Sequence, residues 1–263
     1  INALKIVGKK MGEVKVTFIG AGAACTRTFY VLKAAGVNPG HVIMTDSKGI
    51  LHTGREDLKG TYKWELAEQT NAEGRTGGIR EALKGSDVLI AMSKPGPGVL
   101  KKEDIAVMAD DAIVFSCANP IPEIWPWEAR EAGARIVATG RSDFPNQINN
   151  SLGFPAVFRG ALDVRARTIT DEMCIAGAME LAKFAEEKGI DENYIIPTME
   201  EWEVFPREAV AVALKAIEQG VARRKLSRDE LYERASSIIR RTQEIVKLLM
   251  EKGYIAPPPP SPA

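Results

Sequence analysis

Through its first half the chain repeats one pattern: a short apolar run, a turn rich in Gly, Asn or Pro, then a stretch with helical spacing. Residues 14–19 (VKVTFI) predict a strand. Residues 20–25 (GAGAAC) turn it into a helix running to about residue 35, where Gly36 and Pro39 stop it. Residues 41–45 (HVIMT) predict a second strand ended by Asp46, and 47–54 a loop. Helices follow over 56–69 and 77–84, then a third strand over 87–92 (DVLIAM) and a Gly/Pro-rich SKPGPG. A helix over 102–108 leads to a fourth strand at 112–116, and a helix over 123–132 leads to a fifth at 134–138. Strands alternating with helices at this spacing imply crossover units and a parallel sheet. The fold class expected is α/β: a doubly wound, Rossmann-like parallel sheet with a C-terminal helical extension.

The period changes to helical near residue 171. Helices are predicted over 172–188, 206–223 and 227–252, with Ser227 and Glu230 forming a Ser-x-x-Glu capping box. Residues 14–170 are expected to form the dinucleotide-binding domain, with 171–254 packing on it. The opening INALKIVGKK reads as the last turns of a helix in progress, so 1–13 are expected to end a helix of a preceding domain. Residues 255–263 read as a Pro-rich solvated tail.

Composition narrows the function class by exclusion. The formal net charge is zero, so no global field attracts nucleic acid or an acidic membrane. No apolar run approaches the ~20 residues that span a bilayer. Three cysteines lack any CxxC spacing, and with two histidines a zinc site is not expected. A reduced, cytoplasmic setting fits this usage.

The first chemical signal is Gly20-Ala21-Gly22-Ala23-Ala24-Cys25 between a strand and a helix. Gly20 allows a tight turn, and Gly22 lets backbone approach a pyrophosphate at a helix N-terminus. Cys25 stands where the fingerprint wants Gly or Ala; it is small enough for that packing point. Asp46, 26 residues past Gly20, suits a ribose diol because a carboxylate can accept from both hydroxyls. That favours NAD. Yet Ser47, Lys48, Arg55, Lys59 and Lys63 follow and can neutralise a 2′-phosphate, or else form a solvated basic loop. Ser93, at the end of the third strand, joins the candidate cofactor positions.

The second signal is a pair of amide-bearing loops leaving buried strands, where open α/β sheets place ligands. One is CANPIPEI over 117–124; the other is TGRSDFPNQINNSLGFPAVFRGALD over 139–163. Asn119 can donate and accept, which suits a nicotinamide ribose or a substrate, but Asn-Pro is also a common turn. Asn146, Gln147, Asn149 and Asn150 can hold a dicarboxylate or serve as caps, and at least one is expected to face substrate. Arg141 and Asp143 are expected to pair with one another. His41 and His52 belong to no acid–base constellation.

Together the motifs NALKIVGK, GAGAA, Asp46-Ser47-Lys48-Gly49, Cys117-Ala118-Asn119-Pro120 with Pro122-Glu123-Ile124, TGRSDFPNQINN and FRGALD resemble the malic enzymes of prokaryotic type. The resemblance is close over residues 1 to about 182 and looser beyond. It implies oxidative decarboxylation of malate to pyruvate, with NADP or NAD as hydride acceptor and Mg²⁺ or Mn²⁺ as Lewis acid. It implies that Asn119 meets the nicotinamide ribose and malate, and that Asn150, with Asn149 beside it, binds malate. Ser47 and Lys63, the latter 17 residues past Asp46, match positions of NADP-preferring relatives. The acid, base and metal ligands of the family lie upstream, so this chain is expected to hold no catalytic residue and no metal ligand. A homo-oligomer, dimer or larger, is expected. The rival readings are another dehydrogenase with the same sheet, of amino-acid or shikimate type, and a non-catalytic nucleotide-sensing module.

Overall fold

A computed structural model describes residues 1–258. Of the expected Pro-rich tail, residues 259–263 lie outside this range. The sheet has six strands: β1 (Val16–Ile19), β2 (Val42–Asp46), β3 (Gly49–Ile50), β4 (Val88–Ala91), β5 (Ile113–Ser116) and β6 (Ile136–Thr139). Their order is β3-β2-β1-β4-β5-β6. All neighbours pair in parallel except β2 and β3. The starts align: Val16 pairs with Val42 and Val88, Val88 with Ile113, and Ile113 with Ile136.

Alternation along each strand fills two cores. Val16, Phe18, Ile90, Ile113 and Ile136 point into one, with Cys25 and Phe29 of helix α2 (Ala23–Ala34) and Leu66 of α3 (Tyr62–Gln69). Ile19, Leu89, Val114 and Val137 point into the other. There they meet Leu83 of α4 (Ile79–Leu83), Ile105 of α5 (Lys102–Ile105) and Ala129 of α6 (Pro126–Glu131). A sheet buried on both faces explains the near-continuous apolar runs. The short α1 (Asn2–Ile6) is tied down by the buried Asn2 amide, which donates to Ala182 O at 2.8 Å and Ile195 O at 3.0 Å.

Three expectations are corrected. The loop over 47–54 contains β3, whose Ile50 pairs antiparallel with Thr45. The helix over 56–69 is broken: a 3₁₀ turn at Glu56–Leu58 ends before Gly60, whose φ of +76° no helix admits, and α3 starts at Tyr62. The loop over 139–163 gives way to a 3₁₀ turn, Asn150–Leu152, and then to α7 (Phe154–Asp163). Pro155 suits the first turn of that helix.

Helix α7 packs on α9 (Val204–Glu218) through Gly160, where an added Cβ would lie 2.4 Å from Ala209 O. Ala161, Met173, Val210, Val212 and Leu231 join α7, α8 (Asp171–Lys188), α9 and α10 (Arg228–Glu251) in a third core. The capping box at Ser227 is formed: the Ser227 amide donates to Glu230 Oε2 at 2.7 Å. Arg27 of α2 pairs with Asp171 at the start of α8.

Candidate functional site

Strand order reverses between β1 and β4, and the cleft lies beyond their C-terminal ends, where such sheets take ligands. Gly20 leaves β1 with φ +119°, and an added Cβ would sit 2.8 Å from Met92 O. Only glycine fits both constraints. Gly22 is the N-cap of α2, with open space where a Cβ would be. Ala23 and Ala24 are exposed on the first turn, so unpaired N–H groups and the helix dipole face the cleft. Ala21 is buried, and its carbonyl accepts from Tyr62 Oη at 2.8 Å. Cys25 is fully buried, and burial pushes its thiol up to about 11. It is a packing point, as its small size suggested. The cleft encloses about 450 Å³ and brings together Gly20, Ala21, Gly22, Asp46, Ser47, Lys63 and Ser93.

Asp46 ends β2 at the cleft wall, but its carboxylate is already filled. Oδ1 accepts from the Lys48 amide at 2.9 Å and Arg55 Nη1 at 2.8 Å. Oδ2 accepts from Lys63 Nζ at 2.8 Å and Arg55 Nη2 at 3.3 Å. Burial alone would raise this carboxyl; the hydrogen bonds from Arg55, Lys63 and the Lys48 amide outweigh it and hold the group near about 2. A ribose diol would compete at Asp46 with Arg55, Lys63 and the Lys48 amide. Of the five polar and basic candidates, Arg55 and Lys63 face Asp46 and Ser47 is exposed at the rim. Lys48 pairs with Asp57, and Lys59 with Glu56. A second hollow of about 440 Å³, lined by Ser47, Lys48, Arg55 and Ile79 among others, adjoins the cleft across Asp46.

The amide loops leave β5 and β6 side by side, since Ser116 and Thr139 are register partners. Asn119 is exposed, has no side-chain hydrogen bond among the described residues, and precedes Pro120 through a cis peptide. Asn150 is exposed on the 3₁₀ turn and is equally uncommitted. Asn146 and Asn149 have structural partners. Asn146, buried at φ +57°, donates to Val137 O at 3.0 Å and Glu192 O at 2.8 Å, and its Oδ1 accepts from the Ile195 amide at 3.0 Å. Asn149 caps the 3₁₀ turn, its Oδ1 accepting from the Ser151 amide at 3.0 Å. Gln147 bridges to Thr139 through its backbone, and its side-chain Oε1 is buried with no partner among the described residues. His52 Nδ1 accepts from the Gly54 amide at 3.2 Å.

Glu123 organises the site and carries no role in the sequence reading. It is fully buried, and Oε1 accepts from the amide and hydroxyl of Ser93 at 2.8 and 3.3 Å. Oε2 accepts from Ser116 Oγ at 2.9 Å and the Ala118 amide at 3.1 Å. One carboxylate therefore joins the loop after β4 to the loop after β5. Its place in Pro122-Glu123-Ile124 beside the Asn-Pro turn was the available signal.

The cradle fits a dinucleotide: close backbone approach at Gly20, open space at Gly22, and cations at the far end. A divalent cation finds no such fit. Among the described residues, no cluster of three or more His, Cys, Asp or Glu can hold a metal.

Comparison with known proteins agrees with this geometry. The family model described as the NAD binding domain of malic enzyme matches residues 1–219. The crystal structure of Entamoeba histolytica malic enzyme is similar at TM-score 0.94 and 50% identity, over 98% of this chain and 54% of that one. The NAD-dependent malic enzyme of Geobacillus stearothermophilus is 46% identical over 224 residues, 85% of this chain and 46% of the relative. The NADP-dependent malic enzyme of Halomonas elongata is 42% identical over 239 residues, 85% of this chain and 55% of the relative. The chain spans about half the length of the curated relatives it matches.

Proposed function

The chain belongs to the malic enzyme family as its NAD-binding domain, and we propose that its whole protein oxidatively decarboxylates malate to pyruvate and carbon dioxide. The observation that carries the reading is a dinucleotide cradle beside two uncommitted asparagines on one sheet edge. NAD or NADP, when bound, accepts the hydride. The N–H groups at Gly22–Ala24 would hold the pyrophosphate. Asn119, next to Ser93 and Glu123, would meet the nicotinamide ribose and malate. Asn150 would hold a malate carboxylate by its amide N–H, with Asn149 fixing the turn that presents it. The acid, base and cation ligands, for Mg²⁺ or Mn²⁺, would come from the part of the whole protein that this chain does not cover. A cytoplasmic homo-oligomer belongs to the same proposal; among the described residues no helix is long and apolar enough to cross a membrane.

In the full-length protein, Asn119→Ala and Asn150→Ala are each expected to lower kcat/KM for malate by one to two decades. A hydrogen bond to a charged group is worth about 1.5–3 kcal/mol. Thermal stability should hardly move, because neither side chain has a hydrogen-bond partner among the described residues. Wild-type kinetics in both variants would make the loops mere turns and place the substrate elsewhere. A wild type that binds nucleotide yet does not turn over malate would leave the sensing module as the better account.

We infer further that the protein prefers NADP. With its four acceptor positions taken, Asp46 is a poor diol acceptor, whereas Lys63 lines the cleft with one donor on Asp46 and can turn another toward a 2′-phosphate; Arg55 is held by both Asp46 and Asp57 and only backs the site. The expected result for Lys63→Gln is a fall of about tenfold in kcat/KM for NADP with little change for NAD. Equal losses for both nucleotides, or an NAD-preferring wild type, would make Lys63 only the partner of Asp46.

A further inference from the structure

The segment Gly140–Phe144 meets the Asn119 loop at two points and the start of α6, just after that loop, at a third. A Cβ added at Gly140 would lie 2.9 Å from Cys117 O and 3.1 Å from Asn119 Nδ2, so the two backbones approach as closely as glycine allows. Arg141 reaches across the gap: Nη1 donates to Pro120 O at 2.6 Å. Its remaining edge is fixed by Asp143, with Nε to Oδ1 at 2.8 Å and Nη2 to Oδ2 at 2.6 Å. Phe144 lies under the guanidinium, 5.5 Å from its centre, and meets the stacked Trp125 and Trp127 edge-on at 6.2 Å each.

These contacts contribute little to global stability. Arg141 is about a third exposed and Asp143 more so, and exposed ion pairs of this kind are worth little. What they restrict is geometry. A guanidinium held on both sides in one plane cannot slide, and the carbonyl it grips belongs to Pro120, next to Asn119. The Arg141–Asp143 pair expected from the sequence is therefore only half of the contact; its other half joins two loops.

We propose that Arg141 is a positioning residue that staples the Asn119 loop to the Asn150 loop and so sets the span of the substrate clamp. The inference rests on the reading of those asparagines as malate ligands. The nucleotide contacts at Gly20–Ala24 and Asp46 leave β1 and β2, which β4 separates from β5 and β6, so the staple should bear on the nucleotide only through the ribose contact of Asn119.

The test uses the full-length protein with Arg141→Gln and Arg141→Lys. Arg141→Gln is expected to raise KM for malate about tenfold, since a misplacement near 1 Å can cost up to ~10²-fold. Nucleotide Kd, to which Asn119 adds one ribose contact, should rise by no more than about threefold, and Tm should hardly change. Lysine can reach either Pro120 O or Asp143 but cannot form the planar fork, so Arg141→Lys should recover only part of the loss. Amide hydrogen exchange supplies a readout independent of turnover: exchange over 117–124 should quicken in Arg141→Gln while 20–25 stays as in wild type. An unchanged malate KM together with unchanged exchange overturns the staple, as does equal weakening of malate and nucleotide with a lowered Tm. If wild type itself lacks malate turnover, the functional reading fails, and the exchange result still decides whether the staple exists.

Discussion

Glu123→Ala is expected to weaken nucleotide binding at least tenfold and to lower stability by about 2–5 kcal/mol, the largest loss for any single change at this site. The carboxylate is fully buried and takes four hydrogen bonds from Ser93, Ser116 and Ala118. Truncation leaves the Ala118 amide without its acceptor, at about 1–3 kcal/mol. The Ser116 hydroxyl keeps one contact, to the Ile124 amide at 3.3 Å, but loses the group it donates to. The loop after β4 would then be free to move away from the cleft, taking Ser93 with it. Glu123→Gln tests the same point more finely. Its amide can accept at one oxygen only, so one of the two donor pairs must face an NH₂ group. Urea denaturation and calorimetric titration with NADP measure both effects. A stability loss below about 1 kcal/mol with wild-type nucleotide affinity would show that Glu123 merely fills space.

The parallel sheet was legible because its strands are short apolar runs with no competing period. Val16–Ile19 and Val88–Ala91 are buried at every residue, so no polar face obscures them. The short β3 was not legible. Its two residues turn back on Thr45 and Asp46, and they are held there by Gly77, whose carbonyl accepts from the Ile50 amide at 2.9 Å and would lie 2.4 Å from a Cβ added at Gly49. The contact that fixes the strand is tertiary. The same limit applies to the amides. Asn146 and Asn150 are alike in sequence; the first is buried because its side chain bridges to the 192–195 turn, and the second is exposed because nothing crosses to it. Local sequence names the residues able to bind a ligand, and only long-range packing decides which of them remain free. Asp46 shows the reverse case: its residue type suits a diol, but the two cations it attracts fill the acceptor positions first.

Glu208→Gln is expected to stabilise the protein progressively as pH rises from about 5 to 9. Glu208 lies on α9 at 1% exposure, against the backbones of Gly153 and Gly177, and its Oε2 has no partner among the described residues. Burial raises its carboxyl from the ordinary 4.5 to about 9. No cation offsets this. Arg207 beside it on α9 is engaged by Glu180 and Glu187, and Arg159 of α7 and Arg234 of α10 are engaged by Asp163. Cys174 of α8 is the titratable group that senses Glu208: burial raises its thiol, the Arg27 charge opposes that, and the Glu208 carboxyl adds a smaller upward push. In the unfolded chain Glu208 ionises near its ordinary value; in the folded chain it keeps its proton until about pH 9. The folded state thus holds the extra proton across that window, and stability falls with rising pH by up to about 1.4 kcal/mol per unit. Glutamine has the same shape and no ionisation, so its advantage should grow over the window and level off above it. Partial relaxation and the buried amide reduce the gain, leaving about 1–3 kcal/mol at pH 8. The measurement is urea denaturation of both proteins from pH 5 to 9. Parallel stability curves would mean that water or a cation reaches Glu208 in solution and that it is ionised in the folded state; divergence that begins near pH 5 and grows toward pH 9 identifies it as a carboxylic acid buried in its neutral form beneath the Asn150 corner.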